Sequence, residues 1–341
     1  MMHLPEVEVS SDRLYQMLFS AVEEKLLTTS IRLEVYEHLK GSPKSVAQLA
    51  DALQSDPLNT EYFLNGLVTC GLLEKQKGQY KNTPMAQAFL LKGMPTYLGE
   101  GFLVQSGMRE MMATDLYKLV KEGADPKASK DLGHDEKKWG RFARIMANNA
   151  RSGVAQQMAA LVSGLPEFAS FEKMLDLGGG PGIFGIAMVA KHPSMRGVIY
   201  DRKPSTEVAK KFIAEYQMED RMEVLAGDYN QDSIGSGYDF IWASSTLNFA
   251  QPNLEQVIAK IYDALNPGGV FASLSEGLTH EGTQPPFFVL GTMAWSMHNQ
   301  PLRAFDQGEI AAAMIRNGFK SVRSRSVDTA WSQMDLDLAR K

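Results

Sequence analysis

KMLDLGGGPGIFGIAMVAK, residues 173–191, decides how the rest of the chain is read. Lys173 to Leu177 is a short apolar run containing Asp176, followed by Gly178, Gly179, Gly180 and Gly182 with Pro181 among them. Ile183 to Lys191 is apolar at helical spacing, so the stretch predicts strand, tight turn and helix. Glycines belong where the backbone bends sharply and a ligand approaches without a side chain in the way. The helix that follows points free N–H groups and the positive end of its dipole at that ligand.

Two nucleotide-type cofactors suit such a turn. Gly180, Gly182 and Gly185 spell G-x-G-x-x-G, which admits a dinucleotide such as NAD. S-adenosylmethionine is the alternative, its ribose held by an acid after the second strand. Val198-Ile199-Tyr200-Asp201 supplies an apolar run and that acid at about the expected distance. Both remain open on the residues alone.

Outward from this stretch, strands and helices alternate. Ser205–Gln217 predicts a helix, Met222–Ala226 a strand leading to Gly227-Asp228-Tyr229, and Tyr238–Ser244 a further strand. Leu254–Leu265 is a helix stopped by a turn at Asn266-Pro267-Gly268-Gly269, then comes a strand, Val270–Ser275, and Glu276. A helix over 307–317 and a final strand pair, Phe319–Val327 and Thr329–Leu338, complete the pattern. Such alternation predicts a largely parallel, doubly covered sheet, whose ligands collect at the carboxyl ends of its strands. Asp176, Asp201, Asp228, Ser244 and Glu276 all fall there.

The first part of the chain is helical by periodicity. A run over 11–40 breaks near Thr28–Ser30, two short helices flank Asp56-Pro57, and Leu72–Thr83 forms a hairpin. That is a winged-helix outline. A DNA-reading role is disfavoured, because Thr60–Val68 carries no Lys or Arg and one acid; the apolar surplus suggests self-association instead. Helical runs at 94–120 and 139–165 flank a polar loop over 121–136. The expected domains are 1–100, a winged-helix-like dimerisation domain; 101–165, a helical linker; and 166–341, a Rossmann-like catalytic domain.

Composition narrows the class. The chain has 341 residues, 44% hydrophobic and 22% charged, with net charge −5, which recruits neither nucleic acid nor an anionic membrane. Its single cysteine, Cys70, rules out a disulfide framework and a cysteine-rich metal site, and reads as packing. No metal is expected. The acidic start, MMHLPEVEVSSD, is unlike a secretion signal, so a cytoplasmic protein is expected.

With these motifs in place, the chain resembles the class I S-adenosylmethionine-dependent O-methyltransferases of the caffeic acid and acetylserotonin type over nearly its whole length. DLGGGPG (176–182) resembles the first cofactor motif, Asp201 the ribose acid, and Gly227-Asp228-Tyr229 the motif at the adenine. LNPGGVFASLSE (265–276) and RNGFKSV (316–322) resemble later family segments, and Phe142 with Met146 an F-x-x-x-M segment of the substrate pocket. The resemblance implies S-adenosylmethionine rather than NAD, bound by Asp176, Gly178, Gly180, Asp201, Asp228, Tyr229 and Ser244. It also implies a small-molecule acceptor and a homodimer.

One segment departs from the family. Ser244 stands where a lysine is usual, and Asn248 where a histidine serves as general base. An amide orients a substrate but takes no proton near neutral pH. Three readings follow: an acceptor needing little base assistance, such as a thiol, an activated carbon or an acidic phenol; another base, Glu276 or His298; or a domain that only binds the cofactor. Met293 and Trp295, in the aromatic and sulfur-rich insertion 279–305, are candidates for a hydrophobic, aromatic acceptor pocket.

Overall fold

A computed structural model describes residue 4 and residues 6–113, 116–124, 136–250, 253–297 and 304–341. It divides into two units, Met1–Glu110 and Met111–Lys341.

The first unit follows its local capping signals. Helix α1 (Asp12–Arg32) leads to a short α2 (Val35–His38) and to β1 (Lys44–Ser45). Ser45 opens α3 (Val46–Leu53) with a capping box, its hydroxyl accepting from the Gln48 N–H and its own N–H donating to Gln48 Oε1 at 2.9 Å. Asp56 caps α4 (Pro57–Thr69), with Pro57 at the first helical position. A two-residue Lys77-Gly78 turn, both at positive φ, joins β2 (Leu73–Gln76) to β3 (Gln79–Asn82). The sheet order is β1-β3-β2, and α5 (Pro84–Phe89) and α6 (Gly99–Ala113) follow. Val35, Tyr36, Leu49, Leu64, Leu67 and Tyr80 form the core, and Cys70 packs at its margin. On α1, Leu14, Met17, Leu18, Phe19 and Val22 remain exposed.

The expected break at Thr28–Ser30 is corrected. Helix α1 runs to Arg32, because the Thr28 and Ser30 hydroxyls donate back to the carbonyls of Glu24 and Leu27. The chain turns instead at Glu34, where φ is 55°.

The second unit is built on a seven-stranded sheet, ordered β6-β5-β4-β7-β8-β10-β9. Its strands are β4 (Lys173–Leu177), β5 (Arg196–Asp201), β6 (Met222–Ala226), β7 (Tyr238–Ser244), β8 (Leu265–Ser275), β9 (Lys320–Asp328) and β10 (Gln333–Arg340). Strands β4 to β8 run parallel, while β10 is antiparallel to both β8 and β9. Helices α7 (Leu116–Glu122), α8 (Glu136–Asn149) and α9 (Ala155–Ser163) precede the sheet. Crossovers and later connections supply α10 (Ile183–Lys191), α11 (Lys203–Glu215), α12 (Leu254–Ala264), α13 (Pro286–Met297) and α14 (Glu309–Arg316).

Alternate side chains of each strand face opposite layers. Met174, Trp242 and Ala272 pack towards α9 and α10, whereas Leu175, Ile241 and Phe271 pack towards α12 and α14. Because both faces are covered, β4 and β7 read as near-continuous apolar runs. Strand order reverses at β4, which has β5 on one side and β7 on the other. A crevice at the carboxyl edge belongs at such a switch point.

Three boundaries in this unit differ from expectation. Strand β8 begins at Leu265, since Tyr238 already pairs with Leu265 and the register slip before Phe240–Val270 absorbs the Asn266–Gly269 turn as a bulge. The last strand begins at Gln333, because the Thr329 hydroxyl accepts from the N–H groups of Trp331 and Ser332 and holds residues 329–332 as a turn. The helical run over 139–165 is interrupted by a wide turn at Ala150–Val154, where Gly153 has φ 125°. Most of the loop expected over 121–136 lies outside the described residues.

Candidate active site

The glycine loop is shaped by what lies beneath it. Gly178 has φ 62°, and a Cβ there would sit 2.0 Å from Thr246 Oγ1 and 2.7 Å from Thr246 Cβ. Gly180 also has positive φ, 54°, yet a Cβ there would meet nothing within 4 Å, so this glycine borders open space. Substitution should separate the two roles. Gly178→Ala combines a left-handed alanine with an overpacked contact and should cost about 2–4 kcal/mol; Gly180→Ala carries only the conformational penalty, about 1 kcal/mol. Urea unfolding of the two variants checks this, and equal stabilities would remove the Thr246 contact from the account.

Asp176 lies under the loop, fully buried, and its Oδ2 accepts from the Gly185 N–H at 2.9 Å in the first turn of α10. Burial pushes its carboxyl up to about 7, opposed by the Gly185 amide and reinforced by the neighbouring Asp201 charge. At the end of β5, Asp201 Oδ2 accepts from the Gly180 N–H at 2.8 Å and Oδ1 from the Arg202 N–H at 2.6 Å. Burial raises this carboxyl as well, and those two amides partly offset it. Asp201 thus ties the second strand to the glycine loop.

At the end of β6, Asp228 Oδ1 accepts from the Asn230 N–H, and Oδ2 lies 3.7 Å from the Arg202 guanidinium. Tyr229 is buried, and its hydroxyl donates to the Thr246 carbonyl at 2.6 Å. Thr246 therefore supports both Gly178 and Tyr229. No local pattern marks it, because its partners are distant in sequence; nor is Arg202 marked, since its role lies in the next strand's loop.

Strand pairing brings the other edge together. Ser244 pairs with Leu274, and the Ser245 N–H donates to the Leu274 carbonyl at 2.8 Å. Ser245 itself adopts φ 47°, turning the chain into a short helical turn, Leu247–Ala250. That turn returns Asn248 to Glu276, with Nδ2 donating to Oε1 at 3.3 Å. Both residues are buried, Asn248 to 9% and Glu276 to 6% exposure. Burial pushes the Glu276 carboxyl up, against the pull of the backbone amides of Glu276 and Phe305. Asn248 Oδ1, Glu276 Oε2 and Ser244 Oγ are buried without a protein partner. Orphaned buried polar atoms are costly, about 1–3 kcal/mol each, which fits a place where ligand atoms complete the hydrogen bonding.

Helix α8 lies along α11, with Gly140 near the Pro204 carbonyl and the Arg151 guanidinium bonded to Glu215 at 2.7 Å. Its first half, which ends at Phe142, therefore lies near the carboxyl edge of β5, and Met146 follows one turn further along the helix. Phe142 is exposed and Met146 half-buried. On α13, Met293 is exposed while Phe288 packs on the sheet's core. His298 and the side chain of Trp295 lie outside the described residues.

The site residues fit S-adenosylmethionine: an acid at the β5 end, an open face at Gly180, a second acid at β6 and an unpartnered hydroxyl at β7. Comparisons with known proteins agree. Residues 128–288 match the O-methyltransferase domain, and residues 15–92 the O-methyltransferase dimerisation domain. The chain is 25% identical to the N,N-dimethyltransferase OxyT of Streptomyces rimosus, over 92% of each protein. It is 26% identical to the 3-hydroxy-5-methyl-1-naphthoate 3-O-methyltransferase of Streptomyces sahachiroi, over 76% of this chain and 75% of that one. The crystal structure of human N-acetylserotonin methyltransferase in complex with S-adenosylmethionine shares the fold, with TM-score 0.77 and 19% identity over 99% of both chains. The chain belongs to the S-adenosylmethionine-dependent O-methyltransferase family whose members place a dimerisation domain ahead of the catalytic domain.

Proposed function

We propose that this protein transfers a methyl group from S-adenosylmethionine to a hydrophobic, aromatic small molecule at the carboxyl edge of β4, β7 and β8. The observation that carries the reading is the buried Asn248–Glu276 pair, which leaves two oxygens without protein partners beside the glycine-loop crevice. The naphthoate acceptor of the Streptomyces sahachiroi relative supports an aromatic ring. When bound, S-adenosylmethionine supplies a methyl group on a sulfonium, ready for displacement. Asp201 accepts from the ribose hydroxyls, and Asp228 with Tyr229 borders the adenine. Gly178, Gly180 and Asp176 shape the loop around the remainder, and Ser244 offers its hydroxyl. Phe142, Met146 and Met293 line the acceptor's apolar side. Alignment by these residues supplies much of the rate, because in-line displacement depends strongly on orientation.

Two supporting readings belong with this one. The dimerisation domain and the exposed apolar face of α1 support a homodimer. No described helix is long and apolar enough to cross a membrane, and we place the protein in the cytoplasm.

Calorimetric titration with S-adenosylhomocysteine, with NAD in parallel, tests the reading. Binding of S-adenosylhomocysteine alone is expected, followed by methyl transfer to bicyclic aromatic acceptors. Binding of NAD alone would overturn the assignment of Asp201 and Asp228. Binding of S-adenosylhomocysteine without transfer to any acceptor would favour a cofactor-binding regulator.

A further inference from the structure

The atom that receives the methyl group is set by what Asn248 and Glu276 can do with a proton, and this rests on the methyltransferase reading above. Asn248 Nδ2 gives one of its two N–H groups to Glu276 Oε1, and the amide's Oδ1, a pure acceptor, is buried without a protein partner. Its partner must be an N–H or O–H donor. Glu276 Oε2 is the other buried oxygen of the pair without a partner, and the carboxylate is the pair's sole proton acceptor.

A phenol placed here would have to lose its proton as it attacks. Asn248 cannot take it, and a carboxyl starts roughly six pKa units below a phenol, a poor match for a base. A neutral arylamine has no such requirement. Its N–H donates to Asn248 Oδ1 while the nitrogen lone pair stays free, and only the product ammonium sheds a proton. An N-alkylated arylammonium is about as acidic as a carboxylic acid, so Glu276 is matched to that later step.

We propose that the acceptor is a neutral aromatic amine whose N–H is held by Asn248 Oδ1, with Glu276 receiving the proton released after transfer. The nitrogen lone pair forms the new C–N bond as the methyl C–S bond breaks, its electron pair remaining on sulfur. The sulfonium charge passes to the ammonium, which gives its proton to the Glu276 carboxylate and from there to water.

Three matched probes test this on the full-length protein: 1-naphthylamine, 1-naphthol and naphthalene. In titrations of protein saturated with S-adenosylhomocysteine, 1-naphthylamine should bind about tenfold tighter than naphthalene. Asn248→Leu should abolish that ratio while leaving S-adenosylhomocysteine affinity unchanged; a ratio that survives overturns the Asn248 contact. In turnover with S-adenosylmethionine at neutral pH, N-methylation of 1-naphthylamine should exceed O-methylation of 1-naphthol by at least tenfold. Asn248→His should narrow that preference by supplying a base suited to the phenol. Equal or faster methylation of 1-naphthol by the unaltered protein overturns the amine assignment and leaves the methyltransferase reading intact. Methylation of neither ring, with S-adenosylhomocysteine bound, overturns both.

Discussion

Replacing Asp201 by alanine is expected to weaken S-adenosylhomocysteine binding by on the order of 100-fold. The carboxylate sits at the end of β5, half-buried, with its two oxygens accepting from the Gly180 and Arg202 amides. Its oxygens retain lone pairs for a ribose diol, and charge-assisted hydrogen bonds are each worth about 1.5–3 kcal/mol. Loss of roughly 2.8 kcal/mol of such bonding corresponds to that factor, at 1.4 kcal/mol per tenfold. Alanine also leaves the Gly180 N–H without its acceptor, loosening the loop on the cofactor's side. Asp201→Asn keeps one acceptor oxygen and should lose about tenfold, since a neutral acceptor forms a weaker bond. Calorimetric titration of the two variants, with thermal unfolding to confirm that both are folded, measures the difference. Unchanged affinity in Asp201→Ala would remove this residue from the cofactor site.

The same residue shows how far the sequence could be read. Asp201 was legible because strand, glycines, helix, strand and acid occur in a fixed order, and each is set by local chemistry. Glu276 was legible as a strand-end acid and Asn248 as a departure from a family pattern. That their side chains meet depends on Ser244 pairing with Leu274 and on the left-handed turn at Ser245, neither of which has a local signature. Thr246 illustrates the limit more sharply. It supports Gly178 and Tyr229 from the opposite side of β4, and only the finished sheet brings these three residues together. Boundaries failed where side chains overrode propensity. Hydroxyl groups at Thr28 and Ser30 bonded back to their own helix instead of ending it. The Asn-Pro-Gly-Gly run was absorbed into β8 because Leu265 had a partner in Tyr238. Periodicity locates elements; it does not weigh such competing bonds.

Glu276→Gln should make the protein more stable and much less active. The carboxyl is buried and raised above its ordinary value, so the folded state holds its proton more tightly than the unfolded chain does. The sign follows from linkage: the folded state is penalised as the group ionises, so stability falls as pH rises from the ordinary value of 4.5 through the raised one. Glutamine removes that ionisation, and its amide can still pair with Asn248, so the variant's thermal midpoint should exceed the parent's at pH 7 and the two should converge at pH 4. Activity should move the other way. A neutral amide cannot receive the proton that the product ammonium sheds after transfer, so deprotonation and product release should slow and steady-state turnover should fall by on the order of 10². Stability stored against function in this way is the usual mark of a working site, because a purely structural residue would lose both together. Unfolding curves at pH 4 and pH 7, paired with steady-state methyl transfer at saturating S-adenosylmethionine, separate the possibilities. A variant that is stabilised and fully active would make Glu276 a bystander. One that is destabilised and inactive would make it a packing residue whose loss disturbs the turn at Leu247–Ala250.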